Sequence, residues 1–172
     1  NDIPKNRIHT IIMPEGCDTI DEGAFKGCEK LENITIYDSV QSIGADAFAG
    51  CDNLKISIGY KTYQRLKNDI PKERIHTIII PEGTEMIEEK AFDECINLNS
   101  INIPNSVKTI GADVFEDFDD LKITIGYKTY QKLKDKIPDY LVHTVIISDE
   151  IESIEKFSLE GLNRLNSFRI PE

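Results

Sequence analysis

The 172-residue sequence predicts an α/β repeat solenoid, in which short units stack and each adds one strand to a continuous parallel β-sheet. Three observations predict this fold class. The segment at residues 8–16 recurs at residues 75–83, and a third copy begins at Val142. Inside this long period lies a shorter one of 22 to 23 residues, a length typical of solenoid repeats. In each short unit two apolar residues flank one variable residue, which is the alternation of a strand with one buried face.

The apolar pairs can be followed along the chain, and they predict about eight coils, where a coil is one of the short units. The pairs are Ile11/Met13, Ile34/Ile36, Ile56/Ile58, Ile78/Ile80, Ile101/Ile103, Ile123/Ile125, Val145/Ile147 and Phe168/Ile170. A single unit is too short to bury a core of its own, because ordering each residue costs about 1.5 kcal/mol. Stability is therefore expected to come from stacking neighbouring coils.

The segments between strands differ within each long period. Residues 45–51 are small or apolar, and this predicts one or two helical turns as the crossover between parallel strands. In the third coil of each period the pattern changes to Gly-Tyr-Lys-Thr-Tyr-Gln, at residues 59–64 and 126–131.

The domain interpretation is one solenoid over residues 1–172, with long periods at 8–74 and 75–141 and a partial one at 142–172. The first four residues, Asn-Asp-Ile-Pro, return at 68–71. We therefore expect the chain to be a fragment of a longer repeat protein. It begins without a targeting segment from which a compartment could be read.

Composition excludes several classes of partner. Thirty-one acidic and twenty basic residues give a net charge of −11, which argues against nucleic acid and anionic membranes, because both attract basic surfaces. Purely apolar runs are short, as at residues 11–13 and 78–80, far below the ~18 residues of a spanning helix. We therefore expect no membrane insertion.

The second coil carries a recognisable pattern. Its signature positions are Leu31, Val40, Ile43, Gly44, Ala47, Phe48 and Cys51. Residues 98–115 repeat this pattern, and both coils resemble the leucine-rich repeat of the BspA-like family. The resemblance is weakest in the third coils and at residues 155–162. It implies a right-handed leucine-rich repeat superhelix with short helical or irregular segments opposite the sheet. It also implies a microbial cell-surface or secreted location, a binding or adhesion role and no shared catalytic residues.

Neither histidines nor cysteines indicate a cofactor or metal site. His9, His76 and His143 share one register, but residues three coils apart are separated by ~14 Å, whereas each ligand lies ~2 Å from its metal. Cys28 and Cys51 occupy equivalent positions in adjacent coils, where the ~4.8 Å strand spacing permits a disulfide. Buried free thiols are the favoured interpretation, because their register otherwise holds apolar residues.

The remaining candidates favour structural roles over catalysis. Phe25, Phe48, Phe92 and Phe115, with Leu159, recur in one register and predict a stacked aromatic core. The acidic residues 116–120 lack the pattern of a calcium loop, and a solvated loop is the favoured interpretation. No nucleophile elbow, phosphate loop or zinc-protease motif is present in the sequence, so no catalytic residue is assigned and the protein is not expected to be an enzyme.

One surface repeats with the coils, and we call it the strand face: the residues that point outward between the buried pairs. Its members are Ile12, Thr35, Ser57, Ile79, Asn102, Thr124, Ile146 and Arg169. Its isoleucines recur every third coil and are candidates to anchor a protein partner, such as a host matrix or cell-surface protein. Isolated exposed apolar residues are also ordinary, and the two interpretations stay open.

A second candidate surface is basic. Its members are Lys61, Arg65, Lys67, Lys128, Lys132 and Lys134, on the expected helices of the third coils. A solvated helical face is the favoured interpretation, and an acidic partner or a second copy is the alternative. The function predicted from the whole sequence is a noncatalytic protein-interaction or adhesion module. The alternative is a structural spacer, or a segment that self-associates through its coil ends.

Overall fold

The computed structural model describes residues 5–148, 151 and 153–169, with backbone only for Phe168 and Arg169. Contacts within the chain define two compact units, Asn1–Ile79 and Ile80–Glu172, and each unit is described by itself. The single-domain interpretation stays a prediction.

Unit 1 is a stack of short parallel strands connected by turns and one α-helix. Its elements are β1 (Thr10–Ile12), β2 (Thr19–Ile20), β3 (Asn33–Ile36), β4 (Ser42–Ile43), β5 (Lys55–Gly59), α1 (Tyr60–Leu66) and β6 (Ile75–Ile79). Parallel pairing runs β1 to β3 to β5 to β6. On another side of the coils, β2 and β4 form a two-residue parallel ladder.

Unit 2 repeats this order. Its elements are β7 (Met86–Ile87), β8 (Ser100–Ile103), β9 (Thr109–Ile110), β10 (Lys122–Gly126), α2 (Tyr127–Leu133), β11 (Val142–Ile146) and β12 (Ser167–Arg169). Parallel pairing runs β8 to β10 to β11 to β12, and β7 pairs with β9. The parallel repeat architecture predicted from the sequence is therefore confirmed within each unit.

The strands form because alternate residues are apolar and are buried against the next coil. In β3, Ile34 and Ile36 are buried while Thr35 between them is half-exposed, and Ile34 lies opposite Ile56 of β5. The same burial holds for Ile101 and Ile103 in unit 2. The predicted pair Phe168/Ile170 lies outside the residues whose side chains are described.

Residues 45–51 do not form the expected helical turns, and that prediction is wrong. They make consecutive tight turns, in which the N–H of Ala49 donates to Asp46 O at 3.0 Å and the N–H of Cys51 donates to Phe48 O at 3.1 Å. Asp46 has φ 57°. This left-handed conformation cannot continue a right-handed helix, so the segment turns instead of winding.

The third coils do contain the expected helices, and the capping group of α1 comes from a different coil. Gly59 precedes the helix and has no side chain to cap it. Asp38 Oδ1 accepts a hydrogen bond from the N–H of Thr62 at 2.9 Å, which satisfies one of the unpaired donors of the first turn. In unit 2 the equivalent residue Asn105 accepts from Thr129 Oγ1 at 3.0 Å.

Replacing Asp38 with alanine is expected to lower the free energy of unfolding by about 1 kcal/mol, because the first turn of α1 loses its acceptor. The measurement is urea unfolding followed by circular dichroism. Asp38→Asn is the control: it keeps an acceptor oxygen, as Asn105 does in unit 2, and should lose less. Equal stability of the alanine variant and the parent would contradict this role.

The core of the turn side is aromatic, as predicted. The rings of Phe25 and Phe48 stack with centroids 5.9 Å apart, and those of Phe92 and Phe115 lie 6.2 Å apart. Leu159, the corresponding residue of the last coil, is half-buried.

Candidate functional site

In unit 1 the strand face is only partly the straight ladder that the repeat alignment predicts. Ile12 lies opposite Thr35, and Thr35 lies opposite Ser57, as expected. Ser57, however, lies opposite Thr77, and Ile79 lies opposite Gly59. Ile79 is therefore two residues further along the strand direction than the sequence alignment placed it.

The displacement comes from the third coil. Ile58 pairs with Ile78, and not with Ile80 as the repeat alignment predicts, because the chain returns through α1 and a short 3-10 turn at Lys72–Arg74. The register also shifts between Ile56 and Ser57, where His76 is the additional residue on β6. One extra residue against a partner strand is a β-bulge.

Two of the three repeated histidines lie at a bulge of this kind. His76 Nδ1 lies 3.0 Å from Arg74 O, and in unit 2 His143 occupies the same bulge with Nδ1 3.0 Å from Leu141 O. His9 has a different surrounding, with Nδ1 3.6 Å from a carboxylate oxygen of Glu32. His76 and His143 thus share a local contact that His9 lacks.

The exposed apolar anchors of the strand face in unit 1 are unequal. The fractional exposure of Ile12 is 67% and that of Ile79 is 38%. Between them the surface is polar, formed by Thr35 and Ser57 with Asn33 and Lys55 beside them. A large apolar side chain within a polar surround has the composition of an interface anchor.

In unit 2 the predicted residues follow the same arrangement. Asn102 lies opposite Thr124, and Thr124 lies opposite Thr144, whereas Ile146 lies opposite Gly126 and Arg169. Asn102 is exposed, and Thr124 and Ile146 are half-buried. The side chain of Arg169 lies outside the described residues.

Sequence reasoning missed one feature beside the strand face of unit 2. A cleft of about 440 Å³ lies where the strands begin, and Ile96, Asn99, Asp120, Lys122 and His143 contribute to its walls. Ile96 is 74% exposed. Its equivalent in the first coil is Glu29, so an isoleucine that replaces a charged residue at one repeat position was the available signal.

A sequence profile described as the BspA type leucine-rich repeat region, in six copies, matches residues 4–122 and 71–172. The chain belongs to the BspA-type leucine-rich repeat family. The α/β leucine-rich repeat solenoid predicted from the sequence is thereby confirmed. A comparison with curated proteins finds no match.

Solved structures similar to this BspA-type chain are bacterial leucine-rich repeat proteins. One from T. pallidum is 22% identical with a TM-score of 0.36, and the match covers 96% of this chain and 70% of that one. One from Bacteroides ovatus is 22% identical with a TM-score of 0.29, covering 97% and 31%. A leucine-rich cell surface protein from Faecalibacterium prausnitzii is 19% identical with a TM-score of 0.29, covering 95% and 60%. The chain therefore spans less than two thirds of the length of the latter two.

Side chains that could bind a metal do not cluster in the described part of this BspA-type chain. Within residues 5–148, 151 and 153–169, no three His, Cys, Asp or Glu side chains lie together as a metal site requires. Over the same described ranges, no helix has the length and apolar character needed to cross a bilayer.

All four cysteines have free thiols, and the interpretation of Cys28 and Cys51 as packed core residues is confirmed. Cys51 Sγ donates to Phe25 O at 3.2 Å. Burial raises the pKa of the Cys51 thiol, so it is a weaker nucleophile than an exposed cysteine.

Alkylation of the native BspA-type chain is expected to modify Cys17 at least about tenfold faster than the other three cysteines, because only Cys17 is partly exposed. Iodoacetamide labelling followed by peptide mass spectrometry measures the four rates. Unfolding in urea should equalise them. Comparable native rates at Cys17 and Cys51 would contradict the burial argument.

The basic surface of the third coils is partly structural. Arg65 Nη2 donates to Val40 O at 2.7 Å and to Thr62 Oγ1 at 3.2 Å, so its guanidinium links α1 to the preceding coil. The prediction that Lys67 and Lys134 lie on the α-helices is wrong, because each directly follows the last residue of α1 or α2, and Lys134 begins a short 3-10 helix. Lys61 and Lys132 are exposed.

Proposed function

We propose that this chain is a noncatalytic protein-binding module of a microbial surface or secreted protein, and that it binds its partner through the strand face. Support comes first from the family, whose repeats build an extended sheet on which many different partners can be bound. The surface location rests on the family and on the printed name of the F. prausnitzii cell surface protein.

The observation that carries the proposal is the exposure of Ile12 and Ile79 on polar strand surfaces. A partner that covers them gains apolar burial, while Thr35 and Ser57 supply hydrogen-bonding groups around the anchors. The net charge of −11 favours a protein partner over nucleic acid. Host matrix and cell-surface proteins are the proposed class of partner.

The test compares the parent with a variant carrying Ile12→Glu, Ile79→Glu and Ile146→Glu in surface-immobilised binding to a panel of purified matrix proteins. A partner of the parent should bind the variant at least about tenfold more weakly, because each glutamate places a charge at an anchor. The matched control carries Met86→Glu and Ile154→Glu, two exposed apolar residues outside the strand face. Equal loss in the control, or no loss in the strand-face variant, would overturn the proposal.

A second candidate function is that of a spacer or self-assembling segment. It is favoured by Ile11 and Phe25 of the first coil, which are half-buried although their equivalents Ile34 and Phe48 are buried. A further repeat or a second copy stacked on this coil would bury them. Sedimentation velocity over a range of concentrations tests self-association, and a monomer at every concentration would exclude the second-copy form.

A further inference from the structure

The turn segments of the first two coils are connected by a backbone ladder. Three N–H groups of the first coil each donate to a carbonyl of the second: Gly23 to Ala45 at 3.0 Å, Phe25 to Ala47 at 2.9 Å and Gly27 to Ala49 at 2.8 Å. The two segments approach closely, since a Cβ placed on Gly50 would lie 3.4 Å from Gly27 Cα. Every second residue of the first coil thus supplies a donor, and every second residue of the second coil supplies an acceptor.

The second coil carries the same donors on its other edge, where the ladder stops. The repeat maps the donors of the first coil onto the N–H groups of Asp46, Phe48 and Gly50. Among the residues that the structure describes, none accepts a hydrogen bond from these three groups. The physical reason is the third coil, in which α1 replaces the turn segment that would supply the carbonyls.

An open cleft of about 460 Å³ lies at this edge. Residues 43–49 form one wall, and Asp69, Pro71 and Arg74 contribute to the other. The volume lies within the range of ligand sites, which is about 300–1,000 Å³. Four of the ten lining residues are small, namely Gly44, Ala45, Ala47 and Ala49.

The charges at the cleft are largely paired or offset. Asp46 Oδ2 accepts a hydrogen bond from Lys26 Nζ at 2.8 Å, and that lysine lowers the pKa of the Asp46 carboxyl. Arg74 donates to Cys51 O and lies 3.8 Å from a carboxylate oxygen of Asp52, while Asp69 adds a negative charge to the wall. The charges therefore do not favour binding of a simple anion. The distinctive feature of the cleft is its row of backbone donors.

We infer that this cleft binds a polypeptide segment of a protein partner, turned as residues 45–49 are, whose carbonyls accept hydrogen bonds from the N–H groups of Asp46 and Phe48 in the cleft wall and of Gly50, which follows the lining segment. The main chain of residues 45–49 presents carbonyls at every second residue to the first coil, and pairing of a peptide main chain with an open backbone edge is a general mode of peptide recognition. The ladder between the first two coils is the template for this contact. Its close approach at Gly27 and Gly50 favours a segment of small residues. The inference does not rest on the proposed strand-face function.

The probe is a synthetic peptide with the sequence of residues 43–51, in which serine replaces Cys51, because this segment presents the carbonyls that the donors of the first coil already use. Titration into the full 15N-labelled chain is followed by NMR. We expect chemical-shift changes at the amides of Asp46, Phe48 and Gly50 and at least about tenfold slower hydrogen exchange at saturation. Absence of these changes at millimolar peptide would overturn the inference, whatever happens to any variant.

Two matched variants locate the contact. Ala45→Trp fills the cleft and should weaken peptide binding at least about tenfold, whereas Ala112→Trp, the equivalent change in unit 2, should alter it less than about twofold. Circular dichroism confirms that each variant is folded. Unchanged binding by a folded Ala45→Trp variant would also overturn the inference. The strand-face variant should bind the peptide normally, so failure of one proposal is distinguishable from failure of the other.

Discussion

Replacing Gly44 with alanine is expected to lower the free energy of unfolding by about 3 kcal/mol, a large effect for the addition of one methyl group. Gly44 belongs to the Ile-Gly pair of the repeat pattern and packs directly against the preceding coil. A Cβ at this position would lie 2.6 Å from Glu22 Cα and 2.7 Å from Asp21 C. These are backbone atoms, so no side-chain rotation relieves the overlap and the coils must separate.

Urea unfolding of the full chain, followed by far-ultraviolet circular dichroism, measures this change. Gly111→Ala should be similarly destabilising, because its Cβ would lie 2.6 Å from Glu89 Cα in unit 2. Asp21→Ala is the matched control: Asp21 occupies the equivalent position of the first coil and is exposed, so its replacement should change stability by less than about 0.5 kcal/mol. A Gly44 variant as stable as the Asp21 variant would contradict the close packing of the coils.

Phe92→Ala is expected to lower the free energy of unfolding by about 3–5 kcal/mol. The ring of Phe92 is 0% exposed and lies beside Phe115 with centroids 6.2 Å apart. Removing it forfeits the transfer free energy of the ring and leaves a cavity that the rigid turn segments on either side cannot close.

Phe25→Ala provides the comparison, because Phe25 occupies the equivalent position of the first coil and is half-buried. Its loss should be clearly smaller, since less apolar surface returns to water. Thermal and urea unfolding of the two variants test the ranking. Equal losses of unfolding free energy would contradict this ranking and would mean that the greater exposure of Phe25 does not weaken its packing.

Much of the fold was predictable because its information is local and repeated. The alternation of Ile34 and Ile36 about Thr35 predicts a half-buried strand from three residues alone. Regular repetition of this short unit then requires the strands to stack in parallel. The prediction of helical turns at residues 45–51 was wrong, because the left-handed φ of Asp46 is set by the turn and not by the amino-acid composition of the segment.

The sequence predicted which residues form the strand face, but it did not fully predict which of them lie opposite each other on neighbouring strands. Outward positions such as Ile12 and Thr35 follow from alternation, and they lie opposite each other as expected. Ile79 does not continue that row, because its register depends on how many residues α1 and the bulge at His76 consume between two strands. Sequence periodicity counts residues along the chain, whereas register is set by the hydrogen bonds between strands whose connections differ in length.

The repeat, the buried pairs, the parallel strands and the outward residues follow from the sequence alone, because each depends on neighbours close in the chain or on regular repetition. The offset of Ile79, the cleft beside Ile96 and the donors of Asp46, Phe48 and Gly50, which no described residue pairs, follow from the folded chain. Those features depend on what the adjacent coil offers at the point of contact. A backbone N–H is present at every residue but proline, and only the position of the next coil decides whether it is paired.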